Sequence, residues 1–237
     1  TGSFQDACQA ALLGVLEAVD IKQGETVVDV GFGCGDQDLH ILKAYKPFKI
    51  IGYNASEDQV RAAQERVAKL GESRFEPKFG IAPFLPILSD STDVVLSIDS
   101  AYHYDTRQEF VRRSFTWLRR GGRFGSLDLV LKKAPSRSEW ALILIFSKIT
   151  GIPTSNLYDS ERYKEIMIKE GYTDVREKRL DETAFLDLSK FISEHLKRYE
   201  YILSPGLVSK YRMTAKIMEF LGKRGLFHLS VFSGKKA

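Results

Sequence analysis

Residues Thr26 to Asp38, T-V-V-D-V-G-F-G-C-G-D-Q-D, set the tightest limit on what this chain can fold into. A short apolar stretch runs into a turn with glycine at every second position, Gly31, Gly33 and Gly35. Glycine accepts positive φ and lets backbone approach a bound molecule without a β-carbon in the way, while a helix start beyond the turn offers free N–H groups. A strand that delivers a ligand to a helix is built like this. The dinucleotide fingerprint G-x-G-x-x-G fails at its third glycine, where Asp36 stands.

Ahead of the turn, Cys8, Ala11, Leu12, Val15, Leu16 and Val19 recur at helical spacing, which predicts a packing helix that stops near Gly24. After the turn we expect a helix over about 37–44, a buried strand over 48–53, and a helix opened by the capping pair Ser56 and Gln59 and closed at Gly71. A third strand over 75–79, a proline-broken loop over 80–86 and a fourth strand over 93–98 follow. Thr106 with Glu109 opens a helix expected to end at Gly121-Gly122, and a fifth strand runs over about 123–131. Strand and helix alternating at this spacing means parallel pairing, hence a doubly wound sheet with helices on both faces. After Leu131 the rhythm changes. An apolar stretch over 140–149, a helix from Ser160 to Gly171, a sixth strand over 174–180, helical stretches over 185–203 and 207–221, and a last strand over 226–233 complete the chain. Gly234-Lys235-Lys236 reads as a solvated end.

At 237 residues, 43% of them hydrophobic, the chain is long enough for one large α/β domain and short for two. The formal charge of +4 comes from 35 basic and 31 acidic residues that are interspersed, too small a bias to argue for nucleic acid. Cys8 and Cys34 offer neither a disulfide framework nor a metal-ligand spacing, and a reducing, cytoplasmic setting fits them. His40, His195 and His228 are likewise not spaced for a metal. The longest apolar run, over 140–146, falls far short of the roughly 20 residues of a membrane span, so a soluble protein is expected and only peripheral membrane contact stays open. The helix-like pattern starts soon after Thr1-Gly2-Ser3, which leaves open whether residues precede this sequence. The oligomeric state is open too.

An acidic residue in an apolar strand followed by G-x-G-x-G, here Asp29, Gly31, Gly33 and Gly35, resembles the first motif of class I S-adenosylmethionine-dependent methyltransferases. The resemblance implies an α/β fold with a doubly wound, mostly parallel, Rossmann-like seven-stranded sheet whose last strand is antiparallel. It implies one methyltransferase domain over 1–237. The connection between strands six and seven is far longer than an ordinary loop, so a helical cap is expected there, with 132–172 and 183–224 as the substrate side. The cofactor implied is S-adenosyl-L-methionine, with Asp29, Gly31, Phe32, Gly33 and Gly35 at its methionine end. Asn54, Ala55 and Gln59 would meet the ribose, Ile81 and Ala82 the adenine, and Asp99 and Ser100 the same cleft from strand four. Asn54 and Ile81 stand where the family usually carries carboxylates. An amide still donates to and accepts from a diol, and the adenine is then held by packing and backbone.

Asp99-Ser100-Ala101-Tyr102-His103-Tyr104 follows a strand's carboxyl end, where open α/β sheets bind ligands. It is similar to the fourth-strand motif of small-molecule O-methyltransferases of the natural-product and sugar type, in which a histidine lies close to the accepting oxygen. His103 holds that position. With an ordinary pKa of about 6.5, an imidazole takes the hydroxyl proton as the oxygen attacks; the competing reading is a histidine that only bonds backbone. Asp128, in an otherwise apolar strand, needs a partner, and either polarises His103, holds the acceptor or makes a buried structural bond. Tyr102 and Tyr104 read as aromatic faces for the sulfonium or the acceptor, or as core. Trp140, Phe146, Tyr158 and Tyr199 read as an apolar acceptor pocket, or again as core. The expected function is methyl transfer to a small, largely apolar acceptor, at oxygen if His103 is the base, with no metal. Methylation of a small molecule or lipid at nitrogen or carbon, and a non-catalytic scaffold, are the alternatives. A nucleic-acid methyltransferase is argued against by the lack of an Asn/Asp-Pro-Pro-Tyr/Phe motif after strand four.

Overall fold

The computed structural model describes residues 4–132, 134–180 and 184–237. Thr1-Gly2-Ser3 and position 183, the expected start of the second cap segment, lie outside the described residues. Helix α1 (Phe4–Val19) leads into β1 (Thr26–Val30), α2 (Asp36–Tyr45), β2 (Lys49–Asn54), α3 (Glu57–Leu70), β3 (Phe75–Phe79) and β4 (Thr92–Ile98). Then come α4 (Arg107–Trp117), β5 (Leu118–Leu131), α5 (Arg137–Thr150), α6 (Ser160–Lys169), β6 (Tyr172–Arg179), α7 (Ala184–Tyr199), α8 (Pro205–Arg224) and β7 (Phe227–Lys236). The seven strands form one sheet in the order β3-β2-β1-β4-β5-β7-β6. It is parallel from β3 to β5, and β7 runs antiparallel to both of its neighbours. This is the mostly parallel, doubly wound sheet expected from the repeat.

Strand β1 explains the layering. Side chains alternate across a sheet, so Val28 and Val30 enter one core while Val27 enters the other. Val15 and Leu16 of α1, Ile41 and Leu42 of α2, and Val60 of α3 cover the Val27 face. Phe110 and Val111 of α4, with Tyr163 and Ile166 of α6, cover the opposite face. A third cluster joins Leu129 and Leu131, at the carboxyl end of β5, to Ile143 and Phe146 of α5, Phe185 of α7, Leu221 of α8 and Phe227 of β7. The helices inserted between β6 and β7 are therefore anchored at the sheet edge where a ligand is expected.

Two boundaries differ from the sequence reading. Helix α4 stops at Trp117 rather than Gly121-Gly122, because Thr92 already pairs with Leu118 and the ladder resumes at Val94 and Arg123 after an irregularity. Strand β7 continues to Lys236 instead of fraying into solvent, since Lys235 pairs with Arg123 and Lys236 with Tyr172. The Lys236 ammonium donates to the Phe115 and Leu118 carbonyls at 2.9 and 2.7 Å. The expected caps form: Ser56 Oγ accepts from the Gln59 amide and Thr106 Oγ1 from that of Glu109.

Candidate active site

Strand order reverses between β1 and β4, so the glycine turn and the segment after β4 lie side by side at the switch point. Hydroxyl groups clamp them together. Tyr104 donates to the Val30 carbonyl at 2.8 Å, Ser100 Oγ to the same oxygen at 3.1 Å, and the two hydroxyls lie 2.7 Å apart. Ser97 Oγ joins both, at 2.9 and 3.1 Å. The hydroxyls of Ser100 and Tyr104 are thus spent on holding the turn.

The glycines divide by what they face. A β-carbon on Gly31 would come within 2.2 Å of Ser100 Oγ, so this glycine admits the clamp. Gly35 caps α2 against the Phe75 ring. Gly33 is left-handed, with φ of +63°, and a β-carbon there would meet nothing within 4 Å. The turn therefore turns Gly33 toward open space.

The floor of the turn is acidic. Asp29 and Asp38 are both fully buried, and Asp29 Oδ2 accepts from Gln37 Nε2. If both were ionised, Asp29 Oδ1 and both Asp38 oxygens would have no hydrogen-bond partner. Burial raises both pKa values, that of Asp29 to about 6 and that of Asp38 well above the carboxylate range, where the Asp29 charge adds to it. Of the two neighbouring carboxyl groups, Asp38 holds its proton more strongly. The sequence reading missed Gln37 and Asp38.

Asn54 is buried, and its Nδ2 donates to the Gly33 carbonyl at 3.1 Å and to Gln59 Oε1 at 2.8 Å, while its Oδ1 accepts from the Ser56 amide. One donor hydrogen braces the turn at Gly33 and the other holds Gln59 of α3, so the remaining hydrogen-bonding capacity of Asn54 is the second lone pair of Oδ1. Ala55 and Gln59 are exposed, Ile81 is 60% exposed and Ala82 is buried. Phe32 sits in the turn by its backbone. Its ring turns into the core, edge-on to Phe75 at 5.5 Å and over Gly52, so only its backbone faces the turn.

On the other side of the cleft, Asp99 adopts a left-handed φ of +56°, a conformation aspartate tolerates better than most residues. Its Oδ1 accepts from the Tyr102 hydroxyl at 2.7 Å. Asp99 is exposed to solvent, yet surrounding protein pushes its pKa up to about 6, against the Tyr102 bond and with help from the Asp128 charge. Cys8 of α1 borders the same cleft, where burial and then the Asp99 charge raise its thiol pKa. The His103 ring lies 4.5 Å from that of Tyr102, is exposed, and has its pKa lowered by nearby protein, with a bond to the Gly151 backbone acting the other way. His103 is therefore neutral at pH 7. Tyr102 and Trp140 both pack against the third cluster.

Asp128 does not reach His103. It is fully buried and pairs with Arg107, Nη1 to Oδ1 at 3.0 Å. Burial raises the Asp128 pKa while Arg107 pulls it down. The same guanidinium donates to the Leu129 carbonyl, the Tyr158 hydroxyl and the Asn156 carbonyl, and it lies 4.0 Å over the Tyr158 ring. Asn156 closes the network: its Oδ1 accepts from the Arg107 amide, and its Nδ2 donates to the carbonyls of Tyr102 at 3.0 Å and Tyr104 at 2.7 Å. Asp128 thus makes the buried structural bond that is one of its readings from sequence, and through Arg107 and Asn156 it is linked with Tyr158 to the Tyr102–Tyr104 segment. Phe146 is 2% exposed and packs on Phe227, so it is core, while Tyr199 lies at the far end of α7. Sequence reasoning also passed over Arg107, although it left a signal: a cation at the first position of α4 opposes the helix dipole and must find an anion elsewhere.

A methyltransferase-domain family model matches residues 27–122. The erythromycin 3''-O-methyltransferase of Saccharopolyspora erythraea is 33% identical over 74% of this chain and 59% of its own length. Phosphoethanolamine N-methyltransferase 1 of Arabidopsis thaliana is 28% identical over 68% of this chain and 31% of its own. The chain thus spans less than two thirds of these relatives. Among solved structures, Haemonchus contortus phosphoethanolamine N-methyltransferase 2, in complex with phosphomonomethylethanolamine and S-adenosylhomocysteine, superimposes with a TM-score of 0.82 at 18% identity, over 96% of this chain and 52% of that one. With its glycine turn at the switch point of a seven-stranded sheet, the chain has the class I methyltransferase fold, and its residues 27–122 match the methyltransferase domain.

Proposed function

We propose that this chain binds S-adenosyl-L-methionine at the glycine turn and methylates a small, largely apolar molecule at a hydroxyl oxygen. The observation that carries the reading is Gly33, left-handed and facing open space in a turn whose other two glycines are closed by Ser100 and Phe75. The cofactor supplies a methyl group on a positively charged sulfur. Asp29 offers buried negative charge, and the backbone of Gly31 and Gly33 offers close approach, so these three hold its methionine end. Asn54 Oδ1 and Gln59 suit the ribose, and the exposed Ile81 side chain gives the adenine an apolar surface. Asp99 and the Tyr102–Trp140 edge of the third cluster form the acceptor wall, with 132–172 and 183–224 as substrate-side segments of one domain. His103, neutral at pH 7, takes the hydroxyl proton on a ring nitrogen. Holding the reactants in line supplies most of the rate, and proton removal contributes roughly 100- to 10,000-fold. Free thiols at Cys8 and Cys34 fit a reducing, cytoplasmic setting.

A second reading is an amine acceptor, favoured by the carboxylate of Asp99 in the cleft and by the likeness to phosphoethanolamine N-methyltransferases. Calorimetry with S-adenosylmethionine tests the common part: binding is expected, and neither heat nor a thermal shift at millimolar cofactor overturns it. Methyl transfer to hydroxylated macrolides and sugars, set against amines including phosphoethanolamine, separates the two acceptors. His103→Ala is expected to lose about 100-fold in kcat at unchanged cofactor affinity, and full turnover removes the base from the mechanism.

A further inference from the structure

The α7–α8 hairpin holds the chain's charge excess. Residues 184–224 contain eight of the 35 basic residues and four of the 31 acidic ones, an excess equal to the whole formal charge of +4. Everything outside the hairpin balances. Its base is anchored, with Phe185 and Leu221 in the third cluster and Ser189 Oγ donating to the Ala215 carbonyl between the helices. Its turn is different. Tyr201 is 81% exposed and Ile202 66%, with Tyr199 and Tyr211 also exposed beside them. Around these lie Lys197, Arg198 and Lys210, none of which forms an ion pair among the described residues, while Arg212 is paired with Glu200 at 3.0 Å.

We infer that the turn between α7 and α8 docks this protein on the surface of an anionic lipid bilayer. Lysine and arginine near an anionic leaflet each add about fivefold to partitioning, and tyrosine rings settle at headgroup depth with an apolar body and a polar tip. An exposed isoleucine in the turn between two helices gains from the acyl boundary and gains nothing from phosphates alone, which favours a bilayer over a nucleic acid. Among the described residues no helix is long and apolar enough to cross a membrane, so the contact is peripheral. The third cluster that anchors the hairpin also borders Tyr102 and Trp140, so the docked hairpin is joined by packing to the proposed acceptor wall.

Vesicle sedimentation of the full chain tests this independently of methyl transfer. Vesicles of phosphatidylcholine mixed with phosphatidylglycerol are expected to bind it at least tenfold better than phosphatidylcholine alone, and added salt should weaken the binding. Lys197→Glu with Arg198→Glu should cost roughly 25-fold or more, and Tyr201→Ser with Ile202→Ser should remove the salt-resistant part. Lys69→Glu, an exposed charge on α3, should change nothing. Equal partitioning to both vesicles, or binding that survives the Lys197/Arg198 reversal in protein of unchanged circular dichroism, overturns the inference. Full displacement by polyglutamate or by RNA overturns it in favour of an acidic protein or a nucleic acid.

Discussion

Across the β1–β4 junction, the cradle after β1 draws its acids, glycines and Asn54 from residues 29–59 and takes a hydroxyl clamp from Ser100 and Tyr104, whereas the wall after β4 depends on Arg107, Asp128, Asn156 and Tyr158. In the cradle the glycines, the Asp29–Asp38 pair and Asn54 follow one another through a single strand–helix–strand unit. In the wall one buried guanidinium gathers partners 21, 22, 49 and 51 residues away in the chain. Most of the cradle is local to that unit, and only its hydroxyl clamp comes from afar. The wall exists only once α4, β5 and the segment before α6 have met. A buried ion pair is thus given to the side whose shape must be imposed from a distance, while the cradle sets two buried acids side by side and burial raises both of their pKa values.

Breaking the wall should have the largest effect. Arg107→Met leaves Asp128 buried and unpaired, which costs about 3–5 kcal/mol, or a fall of about 10 °C in Tm for a domain of this size. Arg107→Met with Asp128→Leu should recover much of that loss, because the uncompensated charge is gone. Thermal unfolding of both variants checks it, and a single variant within about 2 °C of the parent would remove the pair from its organising role.

The cradle should fail in binding before it fails in stability. Gly33→Val places a branched side chain in the open space at a left-handed position, so cofactor affinity should fall by about 100-fold, worth about 2.7 kcal/mol, while the backbone strain costs only about 1–2 kcal/mol. Calorimetry with thermal unfolding separates the two quantities. Affinity within a few-fold of the parent would show that the space beside Gly33 is not where the cofactor lies.

The smallest expected effect sharpens the acidic floor. The folded pKa of Asp38 is raised, so its contribution to stability is fully present below the ordinary carboxylate range and is lost as pH rises through the folded value. Asp38→Asn keeps a donor toward Asp29 at every pH. The parent should therefore lose Tm from pH 5 to pH 9 more steeply than the variant, by about 2–4 °C. Parallel curves would mean that no proton is shared there.

Much of the cradle is legible from residue types alone. Alternation in β1, glycine at left-handed positions and the caps at Ser56 and Thr106 obey local rules, in which each residue is judged by its φ or by neighbours within a helical turn. The same rules say that Asp128 needs a partner and that a cation at the start of α4 is out of place. They do not say that each answers the other. Nor do they say that the Tyr104 hydroxyl points back to Val30, that Phe32 turns under its own loop, or that both donors of Asn54 are taken. Local sequence determined the strand, the turn and the cofactor family, because conformational preference and side-chain period act over a few residues. Tertiary structure decided which polar groups remain free for a ligand, because a buried donor or acceptor is satisfied by whichever partner the packed sheet brings within 3 Å, however distant in the chain.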